Sequence, residues 1–437
     1  MAFGGGRWLT QNKVLPGTYI NFVSAAAAFV DIADRGFAAM GFELDWGPIG
    51  KIFRVENSEM LSSSTKIFGY DYSSDNMKAL RDIFQNALVV YCYRLNSNGA
   101  VKASNTYATA KYEGIRGNDI TVVIEDSVDN PGEFIVSTLL GGRVQDVQTV
   151  ANAADLKGND FVDFKADATL TATAGTPLTG GLNGAAPTGA DHQDFLDKSE
   201  KYRFNTIGAA VNDVPTKQLY HEHTKHMRDE VGVKYQCVLF DYEPDYEGVI
   251  NIVNPCTDDG ENQASIVYWM VGASAGCAIN RTNTNKTYSG SFNIFTDYTQ
   301  HELTEHMRAG HLVLHQVDDS ISILSDINSF VSWTIYQNED FYRNQVMRIL
   351  DQIAMDIARL FNSRHLGKTQ NNEPGRNALW ADVVAHHEEL ERLGALQEFN
   401  PDDVIVREGN DKVTVLLDDT VNPVGAMEKL YMTVVVQ

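Results

Sequence analysis

Asp191-His-Gln-Asp-Phe-Leu-Asp-Lys-Ser-Glu-Lys-Tyr202, Thr206-Ile-Gly-Ala-Ala-Val211, residues 216–231 and Tyr235-Gln-Cys-Val-Leu-Phe240 follow one another in the sequence as helix, strand, helix and strand patterns. That alternation predicts a sheet with parallel neighbours and helices packed on its faces. The same character extends over about 190–325 and returns nearer the start. In residues 25–95, Ser73-Ser74-Asp75 precedes a predicted helix over 76–85, and Ala87-Leu-Val-Val-Tyr-Cys-Tyr93 reads as a buried strand.

Between these two α/β stretches the composition shifts to Thr, Val, Gly and Ala. Ile120-Thr-Val-Val-Ile124, Phe134-Ile-Val-Ser-Thr-Leu-Leu140 and Thr169-Leu-Thr-Ala-Thr173 are separated by Asn-Pro-Gly and Gly-Gly turns, which predicts a small all-β insertion. The insertion closes at Leu178-Thr-Gly-Gly-Leu-Asn-Gly184, before Pro187. Further on, Val346, Ile349, Leu350, Ile353, Ile357, Leu360 and Phe361 make one stripe of an amphipathic helix over 345–362, and a second helix is expected over 377–396.

The two ends carry strand patterns of their own. Near the start, Thr18, Tyr19, Ile20, Asn21, Phe22 and Val23 alternate with a period of two behind a Gly-rich leader. Near the end, Lys412-Val-Thr-Val-Leu-Leu417 is one predicted strand and Lys429-Leu-Tyr-Met-Thr-Val-Val-Val436 another, joined by a loop with Pro423. The last strand either forms a hairpin in its own domain or is used elsewhere, because an uncovered Val-rich edge invites aggregation. The expected fold class is therefore mixed α/β (α+β) and multidomain. It divides into an arm at 1–24, an α/β part at 25–99, a β-rich insertion at 100–184, an α/β domain at 185–325, a C-terminal domain at 326–427 and a strand arm at 428–437.

The chain has 437 residues, of which 43% are apolar and 21% charged, an ordinary globular composition with room for several domains. Its 35 basic and 58 acidic side chains leave a net charge of −23, which argues against nucleic acid and anionic membranes as partners. Cys92, Cys237, Cys256 and Cys277 form no CxxC pair and suit a reducing cytoplasm. The N-terminal MAFGGGRWLTQNK has no apolar signal-peptide core, and the apolar stretch 266–279 is shorter than the ~18 residues of a membrane span. Synthesis and residence in the cytosol are expected.

The histidines are the candidates for chemistry. His221-Glu-His-Thr-Lys-His226 and His301-Glu-Leu-Thr-Glu-His306 approach the HExxH metal motif, but the second histidine falls at i+5, roughly 140° around the helix. The stretches 221–228 and 301–308 agree at six of eight positions, a resemblance too short to establish duplication. His386-His-Glu-Glu389 reads as a solvated helix face, and Asp402-Asp403 and Asp418-Asp419 as turn or cap residues. No P-loop, nucleophile elbow or dinucleotide fingerprint occurs in its required context.

Four stretches in order carry a family resemblance: Leu15-Pro-Gly-Thr-Tyr-Ile-Asn-Phe22, Tyr112-Glu-Gly-Ile-Arg-Gly-Asn-Asp-Ile-Thr121, Leu178-Thr-Gly-Gly-Leu-Asn-Gly184 and Ala426-Met-Glu-Lys-Leu-Tyr-Met-Thr-Val-Val-Val436. Together they resemble the contractile-tail sheath proteins of tailed phages and phage-tail-like bacteriocin particles, especially the short sheaths of Gram-positive hosts. The resemblance implies a structural subunit with no catalytic residues, no metal and no cofactor. It implies stacked hexameric rings around an inner tail tube, assembled in the host cytoplasm in an extended state and shortening when a baseplate triggers them. It implies partners in other copies of the chain, the tube protein, and baseplate and tail terminator proteins, with no nucleic acid and no membrane insertion. The terminal extensions would leave their own subunit and complete a small sheet on neighbours. This assigns inter-subunit roles to Thr18, Tyr19, Ile20, Asn21, Phe22 and Val23, and to Leu430, Tyr431, Met432, Thr433, Val434, Val435 and Val436. The insertion would protrude outward and the C-terminal body would face the tube, through the helix at 345–362 or that at 377–396. Two other readings are a metal-dependent hydrolase built on the histidine clusters, and a non-contractile self-assembling shell, which the lack of an export signal disfavours.

Overall fold

The computed structural model describes residues 35–436. Phe37-Ala-Ala-Met-Gly-Phe42 has no polar side chain, so the strand it forms, β1 (Phe37–Phe42), needs cover on both faces. It lies inside a seven-stranded sheet. β2 (Phe53–Glu56), α1 (Asn57–Phe68), α2 (Lys78–Phe84) and β3 (Val89–Arg94) follow it on one side, with β3 parallel to β1 and β2 antiparallel to β3 at the edge. The predicted helix over 76–85 thus begins as a 3₁₀ turn at Asp75–Met77.

The insertion leaves after β3. It contains β4 (Ala108–Ala110), β5 (Ile120–Asp126), β6 (Phe134–Leu140), β7 (Arg143–Val150), β8 (Val162–Phe164) and β9 (Thr173–Pro177), arranged as a four-stranded sheet β7-β6-β5-β9 and a two-stranded sheet β4-β8. Ile120, Val122 and Ile124 alternate inward from β5 onto a core with Trp46, Val136, Leu140 and Leu178. The strand expected at 169–173 is displaced to β9, because Leu170 sinks into this core and pairing with β5 starts only at Thr173.

The signature stretches that open and close the insertion meet at its base. Asp45 Oδ1 accepts from Asn183 Nδ2 (2.7 Å) and Oδ2 from the Tyr70 hydroxyl (2.6 Å). The buried Arg94 donates to the Glu113 carbonyl (2.6 Å), and Asn118 exchanges two hydrogen bonds with the Gly181 backbone (2.8 and 2.9 Å). Gly114 sits at φ +127, and a Cβ there would lie 2.0 Å from the Asp45 carbonyl oxygen, so no other residue fits. These residues hold a domain junction.

The chain returns to the sheet through α3 (Gly189–Ser199), β10 (Thr206–Ala209), α4 (Val214–Lys225), β11 (Gln236–Phe240), β12 (Val249–Ile252), α5 (Ile266–Gly276), α6 (Gln300–Arg308) and β13 (His311–Leu312). The strand order is β13-β12-β11-β10-β1-β3-β2, parallel throughout except for β2. α2 and α5 cover one face, centred on Trp269, Met270 and Ile83, and α3 and α4 the other, centred on Phe195, Leu196 and Tyr220. The predicted helix over 216–231 is α4 continued by a π turn, His226–Val231, which ends at Gly232 in the left-handed region. A hairpin of β14 (Leu314–Val317) and β15 (Ser320–Ile323) follows.

The described residues form two compact units, one of 35–347 with 426–436, the other of 348–425. α7 (Asn344–Leu360) carries the predicted amphipathic stripe. In the smaller unit, Leu360 packs with Leu379, Val383 and Val384 of α8 (Glu373–Arg392) and with Val404 of β16 (Val404–Glu408), which pairs with β17 (Val415–Asp419). The strand expected at 412–417 therefore starts later, and its partner is β16. Residues 424–436 contain no strand, so the own-domain hairpin of 412–417 with 429–436 is absent.

Candidate assembly interface

Ala426 to Glu428 belong to the sheet-bearing unit and are tied to it. The Ala426 N–H donates to Gln345 Oε1 (3.0 Å), and the Glu428 carboxylate accepts from Thr284 Oγ1 (2.7 Å) and the Arg343 guanidinium (2.6 Å). Beyond Glu428 these ties cease. Residues 429–436 hydrogen-bond to no other described residue, and Leu430 (86%), Tyr431 (91%) and Val436 (90%) are almost wholly exposed. Met432, Val434 and Val435 are exposed as well. Seven consecutive residues without a charge, open to water along their length, form a segment that gains by pairing with an edge. Thr18, Tyr19, Ile20, Asn21, Phe22 and Val23 lie outside the described residues.

An edge of matching kind exists in the smaller unit. β16 and β17 pair over five positions, from Val404↔Asp419 to Glu408↔Val415. Val404, Val406, Val415 and Leu417 turn toward α8, while Ile405 and Leu416 face solvent. Neither outer edge pairs with another described strand. The other two-stranded sheets are shorter, and the outer side of β15 is already engaged by backbone bonds with residues 285–288.

The histidine motifs do not converge. His226 Nδ1 lies 3.1 Å from Glu230 on an exposed turn, His221 packs on Tyr242 and Tyr246, and burial pulls the His223 pKa down. In α6 the Glu302 carboxylate is spent capping the helix through Thr299, and His306 Nδ1 faces His311 Nδ1 at 2.9 Å. No group of three or more His, Cys, Asp or Glu among the described residues is placed to hold a metal ion. The two similar octapeptides also differ in setting: one spans the end of α4 and its π turn, the other fills α6.

The sheet has a crevice where its strand order reverses, at the carboxyl ends of β1 and β10, the usual ligand position in such sheets. Its cavity, about 380 Å³, is lined by Glu43, His192, Asp213, Tyr220 and Asn262. Two of its polar groups are committed to the fold: Asp213 caps α4 through the Thr216 N–H, and His192 Nδ1 pairs with the Tyr220 hydroxyl at 3.0 Å. The four cysteines are buried, and burial pushes Cys237 up to about 12, far from a reactive thiolate. No described helix is long and apolar enough to cross a membrane.

His386 and His387 correct the sequence reading, since both are fully buried. Their Nδ1 atoms lie 3.0 Å apart, so one ring donates to the other, while His386 Nε2 reaches Asp356 (3.2 Å) and His387 Nε2 reaches Asp419 (2.7 Å). Asp419 is thus a strand residue anchoring α8, not a turn residue. Sequence reasoning also passed over Glu428, Thr284, Ser325, Arg343 and Gln345, which meet only in three dimensions.

Comparison with known proteins agrees with this architecture. Residues 35–95 match the tail sheath protein Gp18 domain III N-terminal region, 97–183 the phage tail sheath protein beta-sandwich domain, 185–329 the phage tail sheath protein central domain and 336–437 the phage tail sheath C-terminal domain. The phage-like element PBSX protein XkdK of Bacillus subtilis is 30% identical, with 98% of this chain and 99% of that protein covered. The crystal structure of the sheath tail protein of Desulfitobacterium hafniense is 32% identical over 95% of this chain and 99% of that one, with a TM-score of 0.80. The sheath of an extracellular contractile injection system, solved in the contracted state, shares the fold alone, at 11% identity and a TM-score of 0.55 over 98% of both chains. With family models matching stretch after stretch from residue 35 to the end and a relative 30% identical along almost its whole length, the chain belongs to the phage tail sheath family.

Proposed function

We propose that this sheath protein polymerises as stacked hexameric rings around an inner tail tube, linked by exchange of its terminal strands, and that the polymer shortens when a baseplate releases it, driving the tube through a target envelope. The observation that carries the linkage is the apolar segment Leu430–Val436, exposed and paired with no other described residue. Its partner in this reading is the β16–β17 hairpin of another copy. Two-stranded sheets are marginal alone, and added strands supply backbone hydrogen bonds along the edge with side-chain pockets at alternate positions. Thr18–Val23 would add from the opposite side. Such head-to-tail contacts do not close on themselves and so build helical arrays. Of the two helices considered for the tube, α8 keeps the more open face, at Asn377, Ala378, Ala381 and Glu388.

Deleting 429–437 tests this. The truncated protein should melt with the wild-type midpoint and stay monomeric in sedimentation at concentrations where the full chain, with its tube protein, forms tubes. Tubes of wild-type yield from the truncation would end the strand-exchange reading.

A further inference from the structure

We infer that Glu428 is the fixed root of the C-terminal arm, a positioning residue that sets where the free strand begins; the inference rests on the strand exchange proposed above. Its Oε1 accepts from Thr284 Oγ1 (2.7 Å) and Ser325 Oγ (3.3 Å), and its Oε2 from Arg343 (2.6 Å) and the same Ser325 hydroxyl (3.3 Å). The carboxylate side chain is only 18% exposed. An exposed ion pair is worth little, but this one gathers donors from three separate segments. It also lies at the start of α7, where Arg343 and Gln345 bracket the first helical residue and the helix dipole favours a negative charge.

The platform beneath Glu428 is itself anchored. Thr284 Oγ1 accepts the Asp326 N–H (3.0 Å), Asp326 Oδ1 accepts from Asn344 Nδ2 (2.9 Å), and Asn344 Oδ1 accepts from Gln236 Nε2 of β11 (2.8 Å). Asp326, Asn344 and Gln236 are buried. A continuous series of hydrogen bonds thus runs from the arm's root to the central sheet, so tension on the arm is delivered to a buried strand of that sheet. The root also defines reach. From Lys429 to Val436 an extended strand covers roughly 26–29 Å, which limits the neighbouring edges it can meet and the register it adopts. Holding the root removes orientational freedom that docking would otherwise have to remove.

The experiment uses the full chain with E428A, E428Q, R343E, E428R and the double variant R343E/E428R, beside the 429–437 deletion. Hydrogen exchange of the monomer should show the Ala426 amide protected in wild type and exchanging at least about tenfold faster in E428A, with the melting midpoint unchanged. The concentration needed for tube formation should rise about tenfold in E428A, R343E and E428R, less in E428Q, and return to within about threefold of wild type in the double variant, since the swapped pair restores the ion pair and the Ser325 hydroxyl can accept as well as donate. Wild-type assembly by E428A, or no rescue by the charge swap, overturns the root while a non-assembling deletion still upholds strand exchange. Assembly by the deletion itself would overturn both.

Discussion

Asp82 lies on α2 under the sheet, where burial lifts its carboxyl from 3.8 to about 6, against the opposing pull of the Ser291 N–H that donates to Oδ1 at 2.7 Å. Because the folded pKa is raised, the native state binds more protons than the unfolded one between these values, so stability falls as pH rises through the window from about 4 to 6. By neutral pH the charged, buried carboxylate costs at most about 3 kcal/mol relative to acid conditions. Asp82→Asn keeps an acceptor for Ser291 and removes the charge. It should raise stability at pH 7.5 by about 1–3 kcal/mol and flatten that part of the pH–stability curve relative to wild type, as measured by urea unfolding across pH. An unchanged curve would show that Asp82 is already neutral or solvated. His386 and His387 are a second case in which residue type misleads. A His-His-Glu-Glu run has the composition of a solvated face, yet the helix turns both rings inward, and only the distant Asp356 and Asp419 make that burial possible.

A proline in the arm separates a strand's main-chain role from its side-chain role. Val434→Pro removes one N–H from an exposed segment with no partner in its own chain, so the monomer's stability should move by less than about 0.5 kcal/mol. Tube formation should nevertheless be lost in Val434→Pro or in its neighbour Val435→Pro, whichever N–H faces the hairpin, because the ladder there cannot tolerate the missing donor and the ring. Unimpaired tubes from both variants, seen in the same sedimentation assay, would mean that the arm acts through side chains alone. The elements differ in how plainly they could be read beforehand. β6 and β11 were visible as apolar runs, and α7 through its stripe. β7, Arg-Val-Gln-Asp-Val-Gln-Thr-Val, was invisible because it is an edge strand whose bulge between Val144 and Asp146 breaks the period of two and turns both Val144 and Val147 to the outward, exposed face. β13 has only two residues and is set by its neighbour β12 rather than by its own composition. The root at Glu428 could not be read at all, since its partners are up to 144 residues distant.

At the scale of the molecule, the family matches place the chain among phage tail sheath proteins, and in the strand exchange proposed above it works by associating. The larger unit carries the central sheet, the insertion and the root of the arm, and the smaller unit carries the open hairpin. In the proposed exchange the donor strand and the acceptor edge are then two different surfaces of one chain, as a head-to-tail contact requires. Cryo-electron microscopy of tubes assembled from the full chain with its tube protein tests this most directly, by tracing the density that follows Glu428. Strand exchange predicts Leu430–Val436 as a strand paired with the β16–β17 hairpin of another subunit. Density folding back onto its own subunit, or a hairpin edge left bare in well-ordered tubes, would contradict it.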